Sequence, residues 1–339
     1  MKKALINFLK IAIPLLIGIY IFNYFWSSFD REQKDNFFLV FEEANYLWIL
    51  LAIFLGGVSH YARAVRWKYN LRPLGHNPSN FNSYNAIMIG YIVNILVPRM
   101  GEVSRAAILN RTEEVPFDKG FGTIVAERII DLVCLASITG LAVVFNYDNV
   151  MDFFELMTQD KTEEKGSTSI LLILGIAFGI IAVAVLALYL LNEKFRNKIN
   201  GFVNGLKEGV LSIFKMKDRV PYIAYTMLIW VCYLLMFWAC FYACDFTSGI
   251  SFDGVVIGFV AGVLGFIVTQ GGIGTYPIMV GAAVAFSLEP QLLAEGTEQL
   301  GKFTGFGMLV WASQTILIVV LGLISLGMVQ MGAKKKIEQ

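Results

Sequence analysis

The chain has 339 residues, of which 57% are hydrophobic and only 16% are charged, and its mean hydropathy is +0.64. Soluble domains carry about 25% charged residues, so this composition excludes a water-soluble globule. The 27 Lys and Arg residues nearly balance the 26 Asp and Glu residues, which leaves no basic excess for nucleic acid. The 4 cysteines lie in apolar runs without a CxxC pair, and only 2 histidines are present. We therefore expect no metal site, no cofactor and no His-based catalysis.

Six apolar stretches predict transmembrane helices, because a spanning helix needs about 20 mostly apolar residues. In chain order they are residues 4–26, 45–66, 120–146, 168–192, 221–244 and 303–331. Two more apolar stretches, residues 81–111 and 254–288, are interrupted by Pro98–Gly101 and by Gly271–Gly274. Proline and paired glycines break helices, so each of these two stretches is predicted to form two half-helices.

Residues 195–214 carry apolar side chains at three- and four-residue steps, opposite charged residues such as Arg196 and Lys207. This periodicity predicts an amphipathic helix. It lies either flat on the cytoplasmic membrane surface, where anionic lipid attracts basic residues, or against the bundle as a connector.

The distribution of charge predicts the topology. If both interrupted stretches return to the side from which they enter, 20 of the 27 Lys and Arg residues lie on one side of the membrane and 5 on the other. Treating either stretch as a single crossing spoils this asymmetry. We therefore expect two re-entrant hairpins or paired crossings, the first entering from the cytoplasm and the second from outside, with both termini cytoplasmic. The predicted fold is one all-α polytopic membrane domain, residues 1–339, with six full spans and two oppositely oriented re-entrant hairpins in an inverted pseudo-symmetric bundle.

The two interruptions also predict a binding site. Backbone groups left unpaired by a break cannot face hydrocarbon, so each break must line a cavity or contact other protein. The returning half-helices begin near Gly101 and Thr275, and the N-terminal end of a helix favours an anion. We expect both ends to face a pocket for a phosphate or carboxylate. At the second break, the candidate residues are Gly271, Gly272, Gly274, Thr275 and Tyr276.

Charged residues within membrane segments are costly and are functional candidates by default. The first interrupted stretch and the next span carry Arg99, Glu102, Arg105, Glu127, Arg128 and Asp131. In one arrangement, Arg99 and Arg105 pair with Glu127 and Asp131 until an anionic headgroup competes for the arginines. In the alternative arrangement, the same groups form a permanent structural salt-bridge network.

The second span ends on Arg63, Arg66 and Trp67, which we assign to the lipid interface. The plainer interpretation is an anchor, in which the arginine side chains snorkel to the headgroups beside an aromatic belt residue. The functional interpretation is a landing site for lipid phosphate.

Several of these residues also belong to motifs of a known family. The motifs are Arg63–Trp67, Gly90, Asn94, Pro98–Arg105, Glu127–Asp131 and Gly271–Gly274. Through them, about residues 4–330 resemble the membrane domain of lysylphosphatidylglycerol synthases, part of a broad family of flippase-like integral membrane proteins. The resemblance implies a polytopic bundle with two re-entrant hairpins that moves a lipid, or lipid-linked material, between leaflets.

The chain departs from this family pattern at the second break. Gln270 stands where family members often have proline, and Tyr276 and Pro277 stand where they often have an Arg-Glu pair. An arginine contact from this hairpin is therefore not expected. The chain also ends at Gln339 without a soluble aminoacyl-transferase domain, so we do not expect lysine transfer to lipid.

The leading hypothesis is a non-enzymatic lipid flippase of the bacterial inner membrane that selects an anionic phospholipid or a lipid-linked headgroup. The alternative is a secondary transporter of a small soluble anion, with Glu127 or Asp131 carrying a coupling proton. A lipid-modifying enzyme would need a nucleophile or metal cluster, and a scaffold would use the buried charges for stability alone. An apolar opening toward lipid favours the flippase, whereas a sealed aqueous vestibule favours the soluble-anion transporter.

Overall fold

The described residues of the computed structural model are 16–97, 100–147, 189–197, 200–201, 216–288 and 300–337. Within these ranges every regular element is helical and no strand occurs, which confirms the predicted all-helical class. The chain divides into two compact units, one formed by Met1–Arg128 with Asp218–Gln339 and the other by Ile129–Lys217.

The longer helices are numbered in chain order. They are α1 (described over 16–28), α2 (Arg31–Glu43), α3 (Tyr46–Leu71), α4 (Asn80–Leu96), α5 (Met100–Glu113), α6 (Phe117–Phe145), α7 (Arg219–Phe241), α8 (Phe252–Val268), α9 (Thr275–Leu288) and α10 (Leu300–Ile337). Short 3-10 turns occupy Arg72–Leu74, Asp245–Thr247 and Gln270–Gly272.

Four of the described helices are long and apolar enough to cross a membrane. They are α3 with its 3-10 extension (Tyr46–Leu74), α6, α7 and the part of α10 that ends at Met331. These helices correspond to the predicted spans 45–66, 120–146, 221–244 and 303–331. An integral membrane protein is therefore the class that both the composition and the helices support.

Two other predicted segments are described only in part. The span predicted over 4–26 is helical from residue 16 onward, and most of the span predicted over 168–192 lies outside the described residues. The amphipathic helix predicted over 195–214 is described at 195–197 and 200–201, where it is helical.

The connection between α1 and α3 contains the helix α2. A capping box begins it: Asp30 Oδ1 accepts a hydrogen bond from the Gln33 backbone N–H (2.8 Å), and Gln33 Oε1 accepts one from the Asp30 N–H (3.0 Å). The helix packs on α10, where a Cβ at Gly305 would lie 2.7 Å from the carbonyl oxygen of Phe37. The absence of a side chain at Gly305 therefore permits this close approach.

The two interrupted stretches form two helix pairs of matching lengths. In each pair the first helix has 17 residues and the second has 14. In the second pair, a Cβ at Gly254 would lie 2.9 Å from Ser287 Cβ, and one at Gly265 would lie 2.8 Å from Tyr276 Cα. Because Gly254 is far from the break and Gly265 is close to it, these contacts show that α9 folds back antiparallel to α8.

The buried side chains form two hydrophobic clusters. One cluster joins the second half of α3 to α4, α5 and the start of α6, and it includes Trp67, Ile87, Leu109 and Ile124. The other joins α7, α8, α9 and α10 to the first half of α3 and to α2. Trp67 of the first cluster contacts one of the buried charges described next.

Candidate functional site

Four charged side chains are buried in the ranges that the structure describes: Arg63, Arg66, Arg105 and Glu127. None of these residues is more than 4% exposed. Burying an ion costs several kcal/mol unless nearby groups compensate its charge. We call these four residues the arginine cluster, and its three guanidinium groups outnumber its single carboxylate.

Glu127 forms ion pairs with two of the arginines. Its Oε2 lies 2.7 Å from Arg105 Nη2, and its Oε1 lies 3.6 Å from Arg66 Nε. Because the three side chains come from α6, α5 and α3, the ion pairs join three helices at one buried point. The predicted pairing of Arg105 with Glu127 is confirmed, and Arg66 is an additional partner.

Aromatic rings lie against two of the guanidinium groups. Arg105 Cζ is 3.7 Å from the centroid of the Trp67 ring, and Arg66 Cζ is 5.7 Å from that of Tyr222. The Trp67 indole N–H donates a hydrogen bond to Thr123 Oγ1 (2.9 Å). Cation–π contacts of this kind replace part of the hydration that a buried cation loses.

One face of α7 supplies polar partners that sequence reasoning missed. Arg66 Nη1 donates a hydrogen bond to Thr226 Oγ1 (3.3 Å), and Arg63 Nη2 donates one to the Tyr233 hydroxyl oxygen (3.0 Å). Tyr222, Thr226 and Tyr233 follow one another at spacings of four and seven residues, which places them on one helical face. This polar spacing inside a charge-free span was the signal that could have identified them.

A second polar network lies at the first break. Arg128 Nη2 is 3.2 Å from Glu102 Oε1, and the two side chains are 42% and 26% exposed. Asn94 Nδ2 donates a hydrogen bond to Glu102 Oε2 (3.3 Å), and Asn94 Oδ1 accepts one from the Gly101 N–H (2.7 Å). The side chain of Asn94 therefore satisfies one of the amide groups that the sequence predicted to face an anion.

The interpretation of Arg63, Arg66 and Trp67 as interfacial residues differs from the structure. These three residues are 3%, 0% and 0% exposed, whereas a snorkelling arginine keeps its guanidinium in the headgroup region. The physical reason is that α6 and α7 place a carboxylate and hydroxyl groups beside them, so that the arginines are satisfied inside the protein.

Arg99 and Asp131 complete the predicted set of charged residues. Arg99 lies outside the described residues. Asp131 follows Glu127 by one helical turn on α6 and belongs to the unit Ile129–Lys217.

The second break is made of glycines in the left-handed region of backbone conformation. Gly271, Gly272 and Gly274 have φ angles of 64°, 73° and 79°, which residues with a Cβ rarely adopt. The indole N–H of Trp311, on α10, donates a hydrogen bond to the carbonyl oxygen of Gly271 (2.8 Å). The break is thus real, as predicted, and α10 satisfies part of its backbone.

The hydroxyl groups at this break are also used within it. Thr275, the first residue of α9, donates a hydrogen bond to the carbonyl oxygen of Gly265 (2.6 Å), and Thr269 donates one to that of Ile273 (2.9 Å). The returning helix begins at Thr275, as the sequence predicted, and the hydroxyl of this residue is bound to α8. Tyr276 packs against α8, so these side chains hold the hairpin together.

A cavity of about 640 Å³ opens beside the second break. Hydrocarbon side chains form most of its wall: Leu16, Ile19 and Phe22 of α1, together with Ile273 and Met308. This break was predicted to line a cavity or contact other protein, and its residues Ile273 and Gly274 line this cavity. The predicted anionic guest does not match this wall, because an anion needs cationic or N–H groups that the hydrocarbon side chains do not supply.

The two breaks thus differ in their chemistry. The first lies next to Arg105 and Glu102 on α5, whereas the second borders an apolar cavity. The first helix pair nevertheless reaches the second break, because α4 contacts the turn Gln270–Gly272. Within the described ranges, no three His, Cys, Asp or Glu side chains form a group suited to a metal ion.

Comparison with known proteins places these features in a family. Residues 9–294 match the family model described as the lysylphosphatidylglycerol synthase TM region. A UPF0104 membrane protein of Pyrococcus horikoshii is 24% identical over 250 residues, 68% of this chain and 71% of that protein. No solved structure matches.

Two further relatives match over shorter segments. A UPF0104 membrane protein of Methanocaldococcus jannaschii is 30% identical over 100 residues, 29% of this chain and 30% of that protein. The glycosyltransferase AglD of Haloferax volcanii is 31% identical over 88 residues, 26% of this chain and 14% of that protein. The matched segments thus span less than a third of either relative. Because the family model covers most of the chain, this protein belongs to the lysylphosphatidylglycerol synthase transmembrane-region family.

Proposed function

We propose that this protein is a lipid flippase or translocase, which binds an anionic phospholipid or lipid-linked headgroup at the arginine cluster and moves it between leaflets. The observation that carries the proposal is the buried guanidinium of Arg105, whose Nε makes no hydrogen bond within the described residues. A buried donor without an acceptor is costly, so an anionic guest would lower the free energy of the site. The proposal assigns transport to this site and no covalent chemistry.

The chemistry of arginine favours phosphate as the anion. A guanidinium group presents its N–H donors in a planar fork that matches phosphate oxygens. Arg105 uses Nη2 for Glu127, while its Nε makes no hydrogen bond to any residue in the described ranges. A phosphate oxygen would supply that missing acceptor.

A lipid, rather than a soluble anion, is the guest that the surroundings favour. The cluster lies among membrane-crossing helices, and the matching family model is named for a phospholipid synthase. The wall of the cavity at the second break is mostly hydrocarbon. Such a wall suits a lipid chain better than a hydrated soluble anion. These observations support the flippase over the soluble-anion transporter.

The proposal includes the topology that the charge distribution predicts. Both helix pairs are re-entrant from opposite faces of the inner membrane, and both chain termini are cytoplasmic. Arg63, Arg66 and Arg105 were counted on the cytoplasmic side although they are buried. Without them, 17 basic residues remain on that side against 5 on the other, so the positive-inside rule still supports this orientation.

Leaflet exchange in liposomes tests the proposal. The purified protein is placed in phosphatidylcholine liposomes that contain a trace of fluorescent phosphatidylglycerol or fluorescent phosphatidylcholine. A membrane-impermeant quencher then reports the fraction in the outer leaflet. We expect faster exchange of phosphatidylglycerol than in empty liposomes, and loss of this acceleration in Arg105→Gln.

The matched control is Arg72→Gln, which removes an arginine from the partly exposed pair with Asp218 and should keep the exchange rate. Thermal unfolding shows whether Arg105→Gln is folded; if it is not, Arg105→Lys retains the charge without the fork and takes its place. Exchange in the wild type that is no faster than in empty liposomes would overturn the proposal. Uptake of radiolabelled inorganic phosphate without lipid exchange would instead establish the soluble-anion transporter.

A further inference from the structure

The cavity at the second break is bounded by two helices and by the break itself. α1 contributes Ile19 and its neighbours to the wall, α10 contributes Met308, and the break contributes Ile273. α1 comes very close to the break, since a Cβ at Gly18 would lie 2.6 Å from the carbonyl oxygen of Ile273. This close approach brings walls from different parts of the chain together.

Several polar groups near this cavity are already bound, although Tyr20 and Asn23 also line it. Trp311 lies on its wall, but its indole N–H is bound to the carbonyl oxygen of Gly271. The hydroxyl groups of Thr269 and Thr275 are bound to backbone carbonyl oxygens of the hairpin. An anionic guest would therefore meet no cationic side chain in this wall, and burying its charge there would cost free energy.

The size and the surroundings of the cavity indicate its occupant. About 640 Å³ lies within the range of roughly 300–1,000 Å³ that is typical of ligand sites. The cavity is partly open, and the helices around it belong to an integral membrane protein, so hydrocarbon chains are the abundant apolar molecules at hand. A chain that fills the cavity covers side chains such as Phe22 and Met308. It makes van der Waals contacts with them that an empty cavity lacks.

We infer that this cavity is a binding site for one hydrocarbon chain of a membrane lipid. The inference goes beyond the proposed function, because chain binding here does not require that the protein move lipids. It assigns different chemistry to the two breaks: phosphate recognition belongs to the arginine cluster near the first, and chain recognition belongs to the second.

Photo-crosslinking tests the inference directly. The protein is reconstituted in phosphatidylcholine vesicles that contain a phosphatidylcholine or phosphatidylglycerol probe with a diazirine in its acyl chain. After illumination, peptide mass spectrometry locates the adducts. We expect adducts on Ile273 and Trp311, which are only partly exposed and therefore less accessible to bulk lipid than the outer surface.

Two tryptophan substitutions fill the cavity, and each has a matched control on the same helix. On α1, Ile19→Trp should remove the adducts, whereas Ile17→Trp should keep them, because the two isoleucines are 49% and 47% exposed and only Ile19 lines the cavity. On α10, Met308→Trp is paired in the same way with Met328→Trp, at a position that does not line the cavity. The second pair keeps the test decisive if one of the α1 variants does not fold.

The source of the chain follows from the two probes and from Arg105→Gln. If only the phosphatidylglycerol adducts decrease in Arg105→Gln, the chain belongs to the lipid held by the arginine cluster. If both probes label the cavity and Arg105→Gln changes neither, a separate membrane lipid occupies it; both results support a chain site.

Absence of adducts on Ile273 and Trp311, or adducts that persist in both Ile19→Trp and Met308→Trp, would overturn the inference. Leaflet exchange is measured separately, so failure of this inference is distinct from failure of the proposed function.

Discussion

Glu127 is the residue through which three helices of the arginine cluster are connected. It pairs with Arg66 of α3 and with Arg105 of α5, and it is itself fully buried on α6. A buried ion pair adds little net stability by comparison with a well-packed apolar pair, but removing one partner leaves an uncompensated charge. The effect of a substitution therefore depends on whether the charges that remain are balanced.

A double-mutant cycle at Arg105 and Glu127 tests this dependence. Glu127→Gln should lower the free energy of unfolding by about 3–5 kcal/mol, because it leaves two arginines without their carboxylate. Adding Arg105→Gln should recover part of this loss, since it removes one of the uncompensated charges. Unfolding is measured by circular dichroism in detergent micelles.

The pair Arg72–Asp218 provides the control, because its side chains are 41% and 36% exposed at a separation of 3.2 Å. Exposed pairs contribute about 0–1 kcal/mol, so Asp218→Asn should have a small effect. Equal losses in Glu127→Gln and Asp218→Asn would contradict the structural importance of the buried pair.

Glu113 connects the end of α5 to the start of α4, outside the spanning helices. Its carboxylate accepts hydrogen bonds from the Ser79 N–H (3.0 Å), the Ser79 hydroxyl (2.7 Å) and Asn82 Nδ2 (2.7 Å). Partial burial acts to raise the pKa of Glu113, but these hydrogen bonds, with the charge of Lys68, outweigh burial and lower that pKa below its usual value.

This lowered pKa predicts a pH-dependent contribution to stability. Because the carboxyl of Glu113 has a lower pKa in the folded state than in the unfolded state, its contribution is present above the unfolded pKa of about 4.3 and is lost as the pH falls through the folded pKa. The difference in Tm between the wild type and Glu113→Gln should therefore shrink on acidification. Thermal unfolding at a series of pH values measures it, with Glu114→Gln as a control for the same change of charge. A difference that does not change with pH would contradict the role of Glu113.

At the scale of elements, the helix pair α4–α5 depends on glycine at its contact. A Cβ at Gly90 would lie 2.9 Å from the carbonyl oxygen of Gly101, and a Cβ at Gly101 would collide with the carbonyl oxygen of Gly90 and with the side chain of Asn94. Since Arg105 follows one turn later on α5, the same contact determines where its guanidinium lies relative to α6.

Gly101→Ala tests this contact. The added methyl group must displace backbone or Asn94, so we expect a loss of about 1–3 kcal/mol in the free energy of unfolding, as is typical of overpacking. In Gly122→Ala, the new Cβ meets no described atom within 4 Å, and removal of a helical glycine should stabilise the protein by about 0.5–1 kcal/mol. Denaturant titration of both variants in the same detergent compares them. A Gly101→Ala protein as stable as the wild type would show that the helices can separate without cost.

At the scale of the whole molecule, the two helix pairs correspond in a way that the residues do not reveal. Both consist of a helix of 17 residues followed by one of 14, although the two halves of the chain share no visible repeat. The pairs differ in chemistry, because the first carries the buried ion Arg105 and an apolar cavity borders the second. Similar backbones therefore present different chemistry.

The proposed topology predicts which loops share a side of the membrane. Cysteines introduced as Asn77→Cys and Lys119→Cys flank the first helix pair, and Ser248→Cys lies between α7 and α8. In intact cells, a membrane-impermeant maleimide should label Ser248→Cys above the parent chain, which carries 4 native cysteines. It should label the other two only after the membrane is opened. Labelling of Lys119→Cys but not Asn77→Cys in intact cells would mean that α4 and α5 together make a single crossing.

Several features of the site could be predicted from the sequence because they depend on spacing along one helix or on strong local breaks. The pairing of Arg105 with Glu127 was one of them, since both are charged residues in apolar segments that can satisfy each other. Burial of Arg66 was not, because the residues at the end of α3 have the same pattern whether they face headgroups or another helix. Thr226 supplies the difference, and it is 160 residues away from Arg66 along the chain.

The second break illustrates the same division. Its position was predicted because Gly271–Gly274 interrupts an apolar stretch, but its chemistry was not. The argument from the helix dipole treats the end of a helix as open, whereas Thr275 and Trp311 use their donors within the hairpin and its neighbour. The wall that remains toward the cavity is mostly hydrocarbon.

The sequence by itself therefore determined the membrane class, the helical content, the places where helices break and the resemblance to a family. These properties follow from composition and from short-range periodicity. Only the tertiary structure decided which arginines share Glu127, which amide and hydroxyl groups are already bound, and where the apolar cavity opens. The physical reason is that ion pairs, hydrogen bonds and cavities form between side chains from distant parts of the chain, so local patterns do not specify them.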